Sequence, residues 1–254
     1  RTRYECDDLI RIAKEKNVTL GVFQQSFLAP FYLHAKETAD SGKLGEIKQV
    51  DITYSNFARR WDWQTSQVKM GGNIYNTGPH PIGLALGFLD FSDEFRVAYS
   101  KLDHVISSGD SDDYAKIILD APGKPVVDIE VNSTDAYNAA NIKIIGSKGC
   151  YKTTIDEYEM KYIIDGENPE QPLILDSLKD SEGLPAYCSE NLITHEEKGS
   201  HDGTAFDKGT SSFYEMMYNA ITANEEMQVK PLHAAMVISV IEAAHAANPL
   251  PVKF

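Results

Sequence analysis

The segment "GGNIYNTGPHPIG", Gly71 to Gly83, sets His80 between two prolines and just ahead of an apolar run. An imidazole is the one side chain whose ordinary pKa lies near neutrality, so His80 is the first candidate for moving a proton on or off a substrate. Asn76 stands four residues earlier, on the same side of the chain if the segment is helical. An amide and an imidazole so placed can converge on one substrate hydroxyl. The same spacing also suits a histidine that merely closes a turn.

A second group lies in "ITHEEKGSHDGTAFDKGTSSF", which holds His195, Glu196, Glu197, His201, Asp202 and Asp207. Imidazoles with neighbouring carboxylates are the ligands of a divalent metal. The separation of His195 from His201, however, is neither that of HExxH nor that of HxH, the spacings that put two rings on one face. No metal is therefore assigned, and the segment reads either as a cleft loop with His201 facing the ligand or as a solvated loop. A metal-dependent hydrolase on His195, His201 and Asp202 stays open as an alternative. The third group is "ARRWDW", where Arg60 and Trp63 suit a sugar-like ligand through bidentate hydrogen bonds and ring stacking. Its structural alternative is a loop anchored in the core by Trp63.

Several elements must position these groups. An amphipathic helix occupies the first residues, with Cys6, Leu9, Ile10, Ile12 and Ala13 apolar at helical spacing. "VTLGVFQ", Val18 to Gln24, alternates like a short strand. Pro30 opens a helix that Gly42 closes, and Gly45 to Ala58 reads as a long strand whose buried face carries Val50 and Ile52. A helix from Pro81 to Leu89 follows the His80 segment. Phe95 to Val105, Tyr114 to Asp120 and Pro125 to Thr134 read as an antiparallel meander joined by the turns "SSGDSDD" and "APGK". "NIKIIGSKGCYKTT" and "EYEMKYIIDG" add two or three strands. Residues 166 to 210 read as a long loop, functional or an oligomer arm. Two helices close the chain, one with a buried stripe of Phe213, Met216, Met217, Ala220 and Ile221, the other starting at Pro231.

The sum is an α+β fold: a large, mainly antiparallel or mixed open sheet of roughly six to nine strands, with helices packed on one face. Residues 1 to 254 form one domain, and residues 1 to 20 approach the boundary with a preceding one. The uncovered sheet face is a natural surface for a homo-oligomer.

Composition excludes other classes. Lys and Arg number 24 against 38 Asp and Glu, a net charge of -14 that repels nucleic acid and anionic membranes. The uncharged stretch Gly71 to Leu89 is broken by repeated glycines and by Pro79 and Pro81, which argues against a membrane-spanning helix. Cys6, Cys150 and Cys188 are widely spaced with no CxxC, so neither a disulfide framework nor a zinc ribbon is indicated, and a reducing, cytoplasmic setting follows. No G-x-G tripeptide occurs, so the Gly-rich turn of a dinucleotide-binding strand-turn-helix is absent from this sequence.

The order of features, and in particular "P-x-Y/F…SGKLGEI" with Pro30 and Ser41 to Ile47 and "GG-x3-N-x-G-x-H" from Gly71 to His80, resembles the C-terminal domain of the Gfo/Idh/MocA oxidoreductases. The family includes glucose-fructose oxidoreductase and inositol dehydrogenases. The resemblance covers essentially the whole chain and implies a substrate-binding and oligomerisation domain whose N-terminal Rossmann domain is missing. It implies NAD or NADP as hydride partner of the full-length protein, with none bound tightly to this part, and a sugar, cyclitol or related polyol as substrate.

By position His80 matches the family's proton-transferring histidine, while Asn76 stands where many members carry aspartate. An amide can orient a hydroxyl but cannot accept its proton. Phe27 stands where arginine is frequent, leaving Gln24 and Gln25 as polar candidates there. The resulting site comprises His80 and Asn76 for catalysis and Gln25, Arg60, Trp63 and His201 for substrate. A non-catalytic ligand-binding or assembly module is the alternative.

Overall fold

A computed structural model describes residues 1 to 254. Helix α1 (Arg3–Glu15) is opened by a reciprocal cap between Thr2 and Glu5 and packs on the last helix, α6. The expected strand Val18 to Gln24 does not form. Its alternating residues meet no neighbouring strand, and Val18 stays exposed. A buried 3-10 turn, Gln25–Leu28, follows and leads into α2 (Pro30–Asp40), with Pro30 in its first turn. Strand β1 (Ile47–Ser55) buries Val50 and Ile52 fully, as the alternation predicts. The short helix α3 (Asn73–Asn76) and α4 (Pro79–Phe88) carry the His80 segment.

Strands β2 (Arg96–Asp103), β3 (Tyr114–Asp120) and β4 (Val126–Asn132) form the expected antiparallel meander. After β4 the chain enters β5 (Ile142–Gly146), β6 (Gly149–Thr153) and β7 (Glu157–Tyr162). A small hairpin pairs β8 (Leu178–Lys179) with β9 (Pro185–Ala186), and β10 (His195–Ser200) rejoins the main sheet beside β7. Part of the segment read as loop is therefore an edge strand. "HEEKGS" alternates polar residues with polar residues, so its pairing left no hydrophobic period to detect. Helices α5 (Thr210–Ala223) and α6 (Pro231–Ala247) close the fold.

The eight-stranded sheet runs β10-β7-β6-β5-β1-β4-β3-β2 and is antiparallel except between β1 and β4. One face is covered by α2, α4 and α6. α4 lies deepest: Ile82, Leu84, Ala85 and Leu86 are wholly inaccessible, as a helix apolar on all sides must be. Each large aliphatic side chain so buried contributes about 1.5–3 kcal/mol. Gly83 lets Phe27 press against α4, since a Cβ there would stand 2.8 Å from the Phe27 ring. On α5, Phe213 and Ala220 are buried as expected, but Ile221 is 62% exposed, so the buried stripe is narrower than the spacing predicts.

The other sheet face is open and charged rather than apolar. Lys116 pairs with Asp128 and Glu130, Lys152 and Lys198 with Glu159, and Lys161 with Glu196. No helix is long and apolar enough to cross a membrane.

Candidate active site

The loop that delivers His80 is strapped from behind. α3 begins after Gly72, whose φ of 122° is one that residues with a Cβ rarely adopt. A Cβ at that position would also run into the Asp112 carboxylate. The backbone N–H of Ile74 donates to Asp112 Oδ2 at 2.8 Å, and that of Asn73 to the Asp112 carbonyl at 2.8 Å. The Asn73 side-chain amide donates to the Asp113 carbonyl at 2.9 Å and to Ser133 Oγ at 2.8 Å. Asp113 in turn accepts the N–H groups of Val105, Ile106 and Ser107.

"SSGDSDD" is thus not an exposed hairpin turn. Asp110, Ser111, Asp112 and Asp113 are all buried; the three aspartates accept backbone N–H groups, while Ser111 Oγ and Asp112 Oδ1 are left without a partner. Burial lifts the Asp112 pKa to about 7 against the pull of its backbone donors, and Asp113 adds like charge. Asp113 is also raised by burial, but its three N–H donors outweigh that and hold it low.

Pro79 and His80 open α4, and the N–H of His80 donates to the Thr77 carbonyl. Facing the ring is the 3-10 turn that precedes α2. Ser26 Oγ lies 3.0 Å from His80 Nδ1, and Gln24 Nε2 donates to the Pro79 carbonyl at 3.5 Å. Gln24, Gln25 and Ser26 are all buried, yet the side-chain oxygens of Gln24 and Gln25 have no donor. Burial alone pushes the His80 pKa below its ordinary value, with no ionised group opposing it. The ring is therefore neutral at pH 7.

The sequence candidates sort into three groups around this ring. Gln25 belongs with His80 through Ser26, its chain neighbour. Asn76 is exposed, makes no hydrogen bond to the ring, and shares a polar pocket of about 10 Å³ with Arg60, Asn73 and Asp112. The Arg60 guanidinium is already paired with Asp62 at 2.7 Å. Trp63 does not anchor its loop in the core: it is 63% exposed, while Asp62 and Thr65 hold the turn by hydrogen bonds. Phe27 is packed against Tyr32 and Phe91, so this position lines the core instead of a ligand.

His201 lies in a different cluster. Its Nε2 is 2.7 Å from Thr153 Oγ1, and its ring stands 5.5 Å from those of His34 and Tyr158. His195, at the other end of β10, bonds Glu167 and stacks on Tyr162. At about 3.3 Å per strand residue the two histidines are roughly 20 Å apart, so they cannot share a metal ion. No group of three or more His, Cys, Asp or Glu side chains converges anywhere.

Sequence reasoning missed Ser26 and the Asp110–Asp113 strap. Ser26 carries no motif, and only its place beside two glutamines marked the turn as polar. The repeated aspartates did signal a turn, but their burial depends on a loop folded over them from far away in sequence.

A mixed sheet covered by helices on one face, with a partly buried histidine on the helical side, is the frame in which the chain can be compared with known proteins. Residues 32 to 152 match the family model of the GFO/IDH/MocA C-terminal domain. Over 96% of its length it is 26% identical to the uncharacterized oxidoreductase C26H5.09c of Schizosaccharomyces pombe, covering 69% of that protein. A second protein of the same yeast, the uncharacterized oxidoreductase C115.03, is 23% identical over 59% of the chain and 43% of its own length. Among solved structures, an oxidoreductase from Bacillus cereus superposes with a TM-score of 0.73 at 15% identity, over 98% of this chain and 70% of that one. GenD2 from gentamicin A biosynthesis, in complex with NAD, superposes with a TM-score of 0.69 at 17% identity, over 97% of this chain and 66% of that one. These structural likenesses carry the fold. The chain spans two thirds or less of several of the proteins it matches.

The groups beside His80 can be tested against a nicotinamide dinucleotide. Two amides, a hydroxyl and an imidazole supply no positive charge for a pyrophosphate, so they do not fit that part of the cofactor. Their uncharged donors and acceptors suit an uncharged ligand that carries hydroxyls.

Proposed function

We propose that this chain supplies the substrate-binding part of an NAD(P)-dependent oxidoreductase that acts on a carbinol carbon of a sugar, cyclitol or related polyol. The observation that carries this reading is the setting of His80: an imidazole with lowered pKa, held at Nδ1 by the Ser26 hydroxyl at 3.0 Å, with no ionised group acting on it. A carboxylate or phosphate substrate would find no cation there; a polyol needs none. The match of residues 32 to 152 to the family model supports the reaction class, and the NAD complex of GenD2 supports the hydride partner. A nicotinamide carried by another part of the protein would exchange the hydride.

His80 then exchanges the hydroxyl proton, its ring held by Ser26. Asn76 and Arg60 line a separate pocket of about 10 Å³, room for little more than one water, and are assigned no contact with the ligand. The test is turnover of a polyol panel with NAD and NADP by the intact protein and its His80→Ala variant. Loss of proton transfer lowers kcat by about 100-fold or more. Unchanged kcat removes His80 from the mechanism and with it this reading.

A non-catalytic ligand-binding module is favoured by one observation, the amide at Asn76 where a carboxylate would be expected. It predicts polyol binding by calorimetry with no turnover in either variant. The open sheet face is the surface we assign to self-association. Its ion pairs make that association salt-sensitive. A monomer by sedimentation at low and high salt alike would refute it.

A further inference from the structure

We infer that Ser26 is the positioning residue of His80, accepting the Nδ1–H of its ring and so reserving the Nε2 lone pair for the substrate hydroxyl. This rests on the proposed oxidoreductase reading for its purpose but not for its test. A neutral imidazole carries one proton on two nitrogens, and its hydrogen-bond partner decides which one. A carboxylate would fix the choice, because it only accepts. None is present here. No ionised group acts on His80, Asn76 makes no bond to the ring, and the hydrogen-bond partner of Nδ1 is the Ser26 hydroxyl at 3.0 Å.

Ser26 is itself held rigidly. Its side chain is buried and its carbonyl accepts the N–H of Ala29, while the N–H of Phe27 closes the turn on the Gln24 carbonyl. A hydroxyl fixed in this way locates one ring nitrogen and leaves the other free of protein partners.

The consequence for chemistry is directional. When the carbinol is oxidised, the C–H bond breaks with its electron pair leaving as hydride to an oxidised nicotinamide. The O–H bond breaks with its proton going to Nε2, and the C–O bond becomes double. The ring is then an imidazolium whose Nδ1–H still donates to Ser26 Oγ, so neither the ring nor the hydroxyl has to turn. The opposite tautomer, with the hydroxyl donating to Nδ1 and the proton on Nε2, would make His80 a hydrogen-bond donor that cannot take up the proton at the substrate.

The two tautomers differ sharply in imidazole ¹⁵N chemical shifts, which require neither substrate nor cofactor. In the intact protein labelled at histidine, with the His80 signals assigned by their loss in His80→Gln, the Nδ1–H form is expected to dominate at pH 8. It is expected to persist in Ser26→Thr, which keeps the hydroxyl, and to give way to the Nε2–H form in Ser26→Ala. In turnover, Ser26→Ala should lower kcat about tenfold, and the acid limb of kcat/KM should move to lower pH because the imidazolium has lost its acceptor.

A dominant Nε2–H form in the unaltered protein overturns the inference even if Ser26→Ala fails to fold, and so does an unchanged tautomer in a folded Ser26→Ala. Neither result touches the polyol reading, which stands or falls on His80→Ala turnover.

Discussion

His80 and His201 invite comparison because their local descriptions are nearly the same. Each is partly buried, each has a hydroxyl within 3.0 Å of one ring nitrogen, and burial lowers the pKa of each. They differ in what stands on the other side. The turn that brings Ser26 to His80 also holds two buried amide oxygens without donors, so the polar requirements of that turn are incomplete in the protein itself. Beside His201 are aromatic and imidazole rings, and His34 is already bonded to the Tyr151 hydroxyl at 2.9 Å. A perturbed histidine is therefore a poor guide to a site on its own. Unmet hydrogen-bonding capacity around it is the better one, since buried polar atoms are otherwise nearly always paired.

The widest separation between the two clusters should appear in turnover. The loss of about 100-fold in kcat expected for His80→Ala has no counterpart in His201→Ala, which should stay within about twofold of the unaltered protein. Steady-state kinetics on one polyol checks both. A comparable loss in His201→Ala would return that residue to the substrate cleft, where its sequence neighbourhood had placed it.

This contrast also marks what was legible in the sequence. The sheet and helices were, because Val50, Ile52, Ile82 and Leu84 repeat at periods of two and 3.6 that water enforces. His80 was singled out by its type and by the glycines and prolines around it. Ser26 could not be, because it meets His80 across 54 positions of chain and nothing local requires a hydroxyl there. β10 escaped for the converse reason: both its faces are polar, so pairing left no alternation. Of the two readings of Trp63, a ligand-facing ring or a core anchor, the structure removes the second, since the ring is 63% exposed and its loop is held by Asp62 and Thr65.

The strap offers the next test, since it holds the His80 segment and has no equivalent at His201. Asp112 has its pKa raised to about 7 in the fold, against an ordinary value of 3.8. Between those values the folded protein binds the proton and the unfolded chain does not, so stability falls as pH rises from about 4 through 7. The shift corresponds at most to roughly 4 kcal/mol, and partial relaxation should leave about half of that. Asp112→Asn keeps the acceptor for the Ile74 N–H and removes the charge. It should raise the free energy of urea unfolding at pH 8 by that amount, moving the midpoint up, and flatten its dependence on pH. Equal pH slopes in the two proteins would show that the carboxylate is already ionised at little cost.

The smallest effect is expected at the His201 cluster, and its sign is opposite. His34 and His201 are both lowered, first by burial, and His34 lowers His201 further; Lys43 also lowers His34, whereas Glu37 and Glu197 raise it and Asp156 raises His201. Each folded pKa thus lies below the unfolded value near 6.5. Below that value the unfolded chain takes up protons that the folded one refuses, so this cluster's contribution is intact at neutral pH and is lost as pH falls below about 6.5. His201→Phe keeps a ring against Tyr158 and removes one titrating group, at the cost of the bond to Thr153. It should lower the melting temperature slightly at pH 8 and reduce its fall between pH 6.5 and 5. The side chains are only half-buried, and solvent screens them, so the change is a few degrees at most. An undiminished acid slope in His201→Phe would assign that slope to the other buried histidines, His80, His245 and above all His233. That ring is stacked on Phe91 at 3.7 Å, and burial, with Lys230 adding to it, lowers its pKa to about 4. In that case the two clusters would differ in function alone and not in their response to acid.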